Sequence, residues 1–254
     1  MKLLINTFFT VLLTVCAVTS YGQPPQTRRL TDPDFAREQD EAIEWLRESK
    51  RKRMRKEDEY FIDGLIITTR EDLSATCSSG GDHTIIIEGA IGPDSSFALG
   101  ELLKTSPNCL DTNGNLISRT KVILNSLGGY VRDGYAMGRA IRDNEAATEI
   151  DRNSLCASAC AIAFLGGVER IMSPESVIMF HAPYLPIEVD GATKARCDSE
   201  GVVVSDLNNY YTEMTNKVVG DRLFDRTMSY CSADDGWVLR GANSAELFGV
   251  ATKI

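Results

Sequence analysis

Residues 124–129 read Leu-Asn-Ser-Leu-Gly-Gly, residues 156–160 read Cys-Ala-Ser-Ala-Cys, and residues 177–183 read Val-Ile-Met-Phe-His-Ala-Pro. The first piece closes an apolar run on a glycine pair. The second sets a serine among small residues. The third is an apolar strand ending in a histidine. Around them, β-branched runs alternate with amphipathic patterns in units of roughly 30 residues, which predicts right-handed βαβ crossovers and a mainly parallel sheet.

Toward the N-terminus, 121–125 and the β-branched run 83–88 read as buried strands, and 60–69 as one strand or two short ones. Residues 95–103 are apolar at helical spacing. Segments 70–82 and 107–117 read as loops, from Ser78-Ser79-Gly80-Gly81 and Asn113-Gly114. Toward the C-terminus, a helix is expected over 133–142, a short strand over 147–151, a turn over 154–159 and a small apolar helix over 159–165. A loop over 183–195, one long helix over 200–226 and a last helix over 244–248 complete the chain.

The chemistry of the three pieces is complementary. A strand that ends in Gly128-Gly129 and opens a helix leaves backbone N–H groups free, and a missing Cβ lets a carbonyl approach. Such donors stabilise a developing oxyanion. Ser158 has small neighbours that give its Oγ clearance, and the Ala159 N–H at the following helix start supplies a second donor. Taken alone, Ser158 reads as an ordinary N-cap serine. His181 is suited to the role of general base or to that of a satisfied core residue. Together the three make an oxyanion site, a nucleophile and a base.

A formal charge of −9 excludes a general phosphate-binding surface, so no nucleic-acid partner is expected. With two histidines and no zinc-type spacing, neither a metal nor a cofactor is expected. Lys2 followed by the apolar run 3–18, with Ser20 and Gly22 placed for cleavage before Gln23, reads as a secretory signal over 1–22. An exported, periplasmic or secreted protein follows. Residues 23–60 read as a charged arm, helical or flexible, and 61–254 as the α/β domain. Export leaves Cys77, Cys109, Cys156, Cys160, Cys197 and Cys231 for up to three disulfides, among fifteen possible pairings. Cys77 with Cys109 and Cys197 with Cys231 are the preferred pairs. Cys156 and Cys160 are poorly spaced for a bridge within one helix, and pair elsewhere or with each other across an irregular turn.

The order Gly-Gly, then Ser158, then His181 resembles the proteolytic subunit of the Clp protease. Residues 83–93, 124–138, 177–183 and 245–250 are similar to that family's first core strand, its glycine segment and helix, its histidine strand and its C-terminal helix. The resemblance implies a Clp/crotonase-type fold of repeated ββα units. It also implies serine peptidase activity, with Ser158 as nucleophile, His181 as base, and Gly128, Gly129 and Ala159 around the oxyanion. The third member falls on Asp235, with Asp234 next and Asp225 as outsider. Leu127 stands where the family has proline, and Ala159-Cys160 follows the serine in place of methionine and a small residue. The family oligomerises, so a homo-oligomer is expected. An exported member has no ATP supply, so no ATPase partner is expected, and the substrate is a peptide or unfolded protein. The competing readings are a non-catalytic binding or assembly module on the same fold, and a crotonase-like acyl-CoA enzyme that would not need Ser158 with His181.

Overall fold

The computed structural model describes residues 54–252, apart from 190, 198–201, 233 and 234, together with Arg37, Glu41 and Glu44. The chain divides into two units, Met1–Glu48 and Ser49–Ile254. In the first, the three described residues are helical and exposed, and an i,i+4 ion pair joins Arg37 to Glu41 at 3.8 Å. The signal segment 1–22 and most of the expected arm lie outside the described residues.

The second unit opens with three antiparallel strands, β1 (Arg55–Ile62), β2 (Leu65–Cys77) and β3 (Gly80–Ile91). Asp63 and Gly64 both take positive φ, 45° and 89°, the requirement of a two-residue hairpin turn whose twist matches its strands. Charge sets the register: Arg55 faces Asp72, Lys56 faces Glu71 and Glu57 faces Arg70. The last part of the segment 23–60 is therefore strand. Its interleaved charges pair across a hairpin, and with almost every residue of β1 exposed there is no apolar period to reveal it. Residues 70–82, expected as a loop, extend β2 and β3 for the same reason.

The central part follows in alternation: α1 (Ser95–Lys104), β4 (Cys109–Leu110), β5 (Leu116–Ser118), β6 (Lys121–Gly129), α2 (Val131–Asp143), β7 (Ala147–Ile150), β8 (Leu155–Ala157), α3 (Ala159–Phe164), β9 (Arg170–Met172) and β10 (Val177–Phe180). The pairs β3–β6, β6–β7, β7–β9, β6–β8 and β8–β10 are all parallel, so the expected mainly parallel α/β sheet is present. The sheet forks at β6. Its first half, Lys121–Ile123, pairs with β7, while Ser126 pairs with Cys156 of β8. That fork brings the glycine end of β6 to the end of β8.

The remainder is a hairpin, β11 (Tyr184–Val189) with β12 (Ala192–Cys197), then α4 (Val202–Met214), α5 (Lys217–Met228), β13 (Trp237–Arg240) and α6 (Gly241–Leu247). The hairpin replaces the loop expected over 183–195, and β13, which pairs antiparallel with β10, was not legible in the sequence. The single helix expected over 200–226 is two. Asn216 is extended, and its side chain accepts from the Val219 N–H at 3.0 Å, capping a new helix. That helix folds back on α4: Gly220 lies against Thr212, and the hydroxyls of Tyr211 and Thr227 bond at 3.2 Å.

The core joins Ile67, Ile85, Ile87, Val122 and Leu124 of the sheet to Leu99 and Leu103 of α1, Met137 and Ile141 of α2, and Phe164 of α3, all essentially inaccessible. Each such side chain is worth about 1.5–3 kcal/mol of apolar burial. Three disulfides form, Cys77–Cys109, Cys156–Cys160 and Cys197–Cys231. Among the described residues no helix is long and apolar enough to cross a membrane.

Candidate active site

The C-terminal end of β6 is built from backbone. Gly128 and Gly129 have φ of 93° and 146°, conformations that L side chains avoid. At Gly129 a Cβ would collide with the carbonyl of Ile91. At Gly128 it would sit 2.5 Å from the Ala157 carbonyl oxygen, 2.7 Å from Ser158 Cβ and 2.8 Å from the Ala159 nitrogen. Glycine is thus demanded both by dihedral and by contact, because β6 runs directly onto the turn that carries Ser158. Ser126 fixes this end. Its Oγ donates to the Gly89 carbonyl at 2.5 Å and accepts from the Gly128 N–H at 3.0 Å. Gly128 therefore has its amide engaged, and the Ala159 nitrogen lies directly beside it.

Ser158 occupies a sharp strand-to-helix turn, with φ 58° and ψ −123°. A non-glycine residue held there costs about 1–3 kcal/mol and persists only when its surroundings over-determine it. The Ser158 N–H donates to the Met179 carbonyl at 2.9 Å, and its carbonyl accepts from Ile162 N–H at 3.1 Å. The side chain makes no capping bond to α3. The N-cap role open to it in sequence is not the one it plays, and the half-buried residue makes no side-chain hydrogen bond among the described residues.

Behind the turn, α3 is held by neighbours. Gly134 of α2 packs on the Ala159 backbone. The Tyr210 hydroxyl donates to the Ile162 carbonyl at 2.9 Å, and full burial pushes that phenol far above its ordinary pKa, so it stays a donor. Arg142 donates to the carbonyls of Gly166, Leu165 and Met214 at 2.8, 3.0 and 3.0 Å, satisfying groups at the helix end that a short helix cannot. The buried Cys156–Cys160 bridge spans the turn itself.

His181 follows β10, whose register against β8 sets Met179 beside Ala157, so the histidine leaves the sheet next to the serine turn. Its Nδ1 lies 3.0 Å from the Ala182 carbonyl oxygen. A carbonyl only accepts, so in a neutral ring this contact calls for the proton on Nδ1 and turns Nε2 into the acceptor. Ala182 is itself anchored, its N–H donating to the Tyr230 carbonyl at 2.8 Å. The ring also stands 5.6 Å from that of Tyr184. No hydrogen bond joins His181 to Ser158 among the described residues. Catalytic hydrogen bonds are often long before substrate binds.

The structure gathers Gly128, Gly129, Ser158 and Ala159 at one place and sets the histidine strand beside them. Asp235 is exposed, one residue before Gly236, which lies against the Phe180 carbonyl at the end of β10, and no hydrogen bond links it to His181 among the described residues. Asp225 is exposed on α5, where its carbonyl accepts from Ser229, and Asp234 lies outside the described residues. Ser126, Ala182, Met179 and Tyr210 are supports that sequence reasoning did not single out. Ser126, Met179 and Ala182 lie inside the segments quoted above, and Tyr210 lies outside them. A cleft of about 290 Å³ opens alongside, lined by Gly89, Ala90, Asn125, Ser126, Leu127 and Leu155. Leu127 and Tyr130 stand exposed around the glycine pair.

No family model and no curated protein matches the sequence. Among solved structures, the chain is similar to ClpP1 from Listeria monocytogenes, with 18% identity and a TM-score of 0.46 over 67% of this chain and 89% of that one. A point mutant of ClpP1 from the same organism gives 18% identity and 0.47 over 67% and 90%. A mutant of the 1510-N membrane-bound stomatin-specific protease gives 14% and 0.46 over 66% and 76%.

Proposed function

We infer that this protein is a serine hydrolase that cleaves peptide bonds, with Ser158 as nucleophile and His181 as base. The observation that carries the reading is the serine turn. A strained, non-capping Ser158 is placed where Gly128 leaves room in front of both its Cβ and the Ala159 amide. A strand–turn–helix serine with small neighbours is the arrangement that exposes a nucleophilic Oγ.

In this mechanism His181 Nε2 takes the Ser158 proton as Oγ attacks the substrate carbonyl. The Gly129 and Ala159 N–H groups stabilise the oxyanion. The same imidazole then protonates the leaving amine, and water releases the acyl group by the reverse sequence. The Ala182 carbonyl fixes the histidine tautomer, the orienting task that Asp235 would have in a triad. The proposed enzyme is therefore a Ser-His dyad with a backbone orienter. A peptide or unfolded-protein substrate follows from the Clp-type resemblance of the three motifs, as does self-association. The three disulfides suit an oxidising compartment, in keeping with export and with action independent of an ATPase.

The second reading, a binding or assembly module, is favoured by the missing Ser158–His181 hydrogen bond. Active-site titration with a fluorophosphonate separates the two. Stoichiometric labelling of the wild type, lost in Ser158→Ala and reduced at least a hundredfold in His181→Ala, is expected of the enzyme. A folded, oxidised wild type that takes no label would leave the binding module.

A further inference from the structure

Two cysteines bracket Ser158 symmetrically. Cys156 lies in β8 and Cys160 in the first turn of α3, and their bridge spans a sequence separation of 4 with Cα atoms 5.2 Å apart. Both side chains are fully buried. The bridge thus ties the strand that enters the turn to the helix that leaves it, with the strained serine between.

Few other bonds hold that serine. Its backbone makes two hydrogen bonds, to Met179 and Ile162, and its side chain makes none that caps the helix. The helix Ala159–Phe164 is far shorter than one that is stable on its own. A residue at φ 58° relaxes toward an ordinary conformation when its surroundings stop over-determining it. A change in the Ser158 φ would swing its Cβ and the Ala159 amide together, since both are carried by the Ser158 Cα. A bridge over so short a loop removes less entropy from the unfolded chain than a bridge over a long one. Its main effect falls on the geometry of the turn.

We propose that the Cys156–Cys160 disulfide is a positioning element of the active site, which holds Ser158 Oγ and the Ala159 backbone in attacking geometry and makes hydrolysis conditional on oxidation. The idea rests on the reading of Ser158 as nucleophile. Activation is a thiol–disulfide exchange. The Cys156 and Cys160 thiols together lose two electrons and two protons, and the disulfide of an exchange partner takes them up to become a dithiol. In the dithiol form the turn is free to relax, and acylation is slow.

The test compares three proteins in the oxidised state: wild type, the Cys156→Ser/Cys160→Ser double variant, and Cys77→Ser/Cys109→Ser as a control remote from the turn. The second-order rate of fluorophosphonate labelling is measured per folded molecule, alongside thermal unfolding and the pH profile of labelling. The expected result is a loss of at least tenfold in the Cys156/Cys160 variant with an unchanged pH profile, because the base is untouched, and no loss in the control. Equal rates in wild type and the Cys156/Cys160 variant would overturn this inference alone. A wild type that takes no label would overturn it together with the functional reading. Should the double variant not fold, wild type is held with a dithiol for increasing times and its bridges are mapped by non-reducing peptide analysis. Labelling that tracks the Cys156–Cys160 bridge supports the proposal, and labelling that tracks only the other two bridges overturns it.

Discussion

Cys77–Cys109 and Cys197–Cys231 span sequence separations of 32 and 34, whereas Cys156–Cys160 spans 4. The long bridges pin peripheral pieces, the β2–β3 hairpin to β4 and the β11–β12 hairpin to the segment after α5. The short one sits inside the core at a single turn. On chain-entropy grounds each long bridge stabilises the fold by about 3–4 kcal/mol and the short one by about 2 kcal/mol. The same bond therefore serves two ends. Far apart in sequence it limits the unfolded chain, and close together it limits the native geometry.

That contrast can be broken from either side. The largest expected effect is on stability. Cys77→Ser/Cys109→Ser should lower the unfolding free energy by about 3–4 kcal/mol in denaturant titration, with labelling of the surviving folded protein unchanged. A similar loss of labelling would erase the distinction. Next comes Gly128→Ala, whose Cβ has no room beside Ser158 and Ala159. A displacement of the order of 1 Å at a reacting group costs about a hundredfold, so labelling should fall by roughly that factor while the fold, read by circular dichroism, persists. Tyr210→Phe removes the hydroxyl from the Ile162 carbonyl and should destabilise the protein by about 1–2 kcal/mol. Its labelling rate should change by less than Gly128→Ala changes it. The smallest effect is expected of Asp235→Asn. An exposed carboxylate without a bond to His181 should alter the labelling rate less than twofold, and a drop of a hundredfold or more would restore the triad.

What could be read beforehand follows from which residues face a core. The strands around Ile85, Val122 and Ile178 announced themselves because one face of each is fully buried, the other is partly covered, and apolar, often β-branched, residues fill them. Strand β1 did not, because its charges obey cross-strand pairing with β2 and no burial. Strand β13 was hidden by its shortness, and the helix break by Asn216, whose cap is recognisable only once Val219 is known to start a turn. At the site, the glycine pair and the small residues about Ser158 were legible because close backbone approach leaves only those residue types. The Ser126 bond to Gly128 and the Ala182 bond to His181 were not, since each depends on where a neighbouring strand ends. The mutual pairing of Cys156 and Cys160 could not be decided until they were seen to lie in different elements.

Strand β1 has a partner on one side only among the described residues, which makes it an edge strand of the described sheet. Sheet edges of that kind invite fibril growth. Arg55, Lys56, Glu57, Asp58 and Glu59 are consecutive and exposed along it. Copies stacked in register, as in cross-β fibrils, would set every one of these charges against its own kind. The row of charge that made the strand unreadable is thus also one that opposes edge-to-edge pairing of like strands.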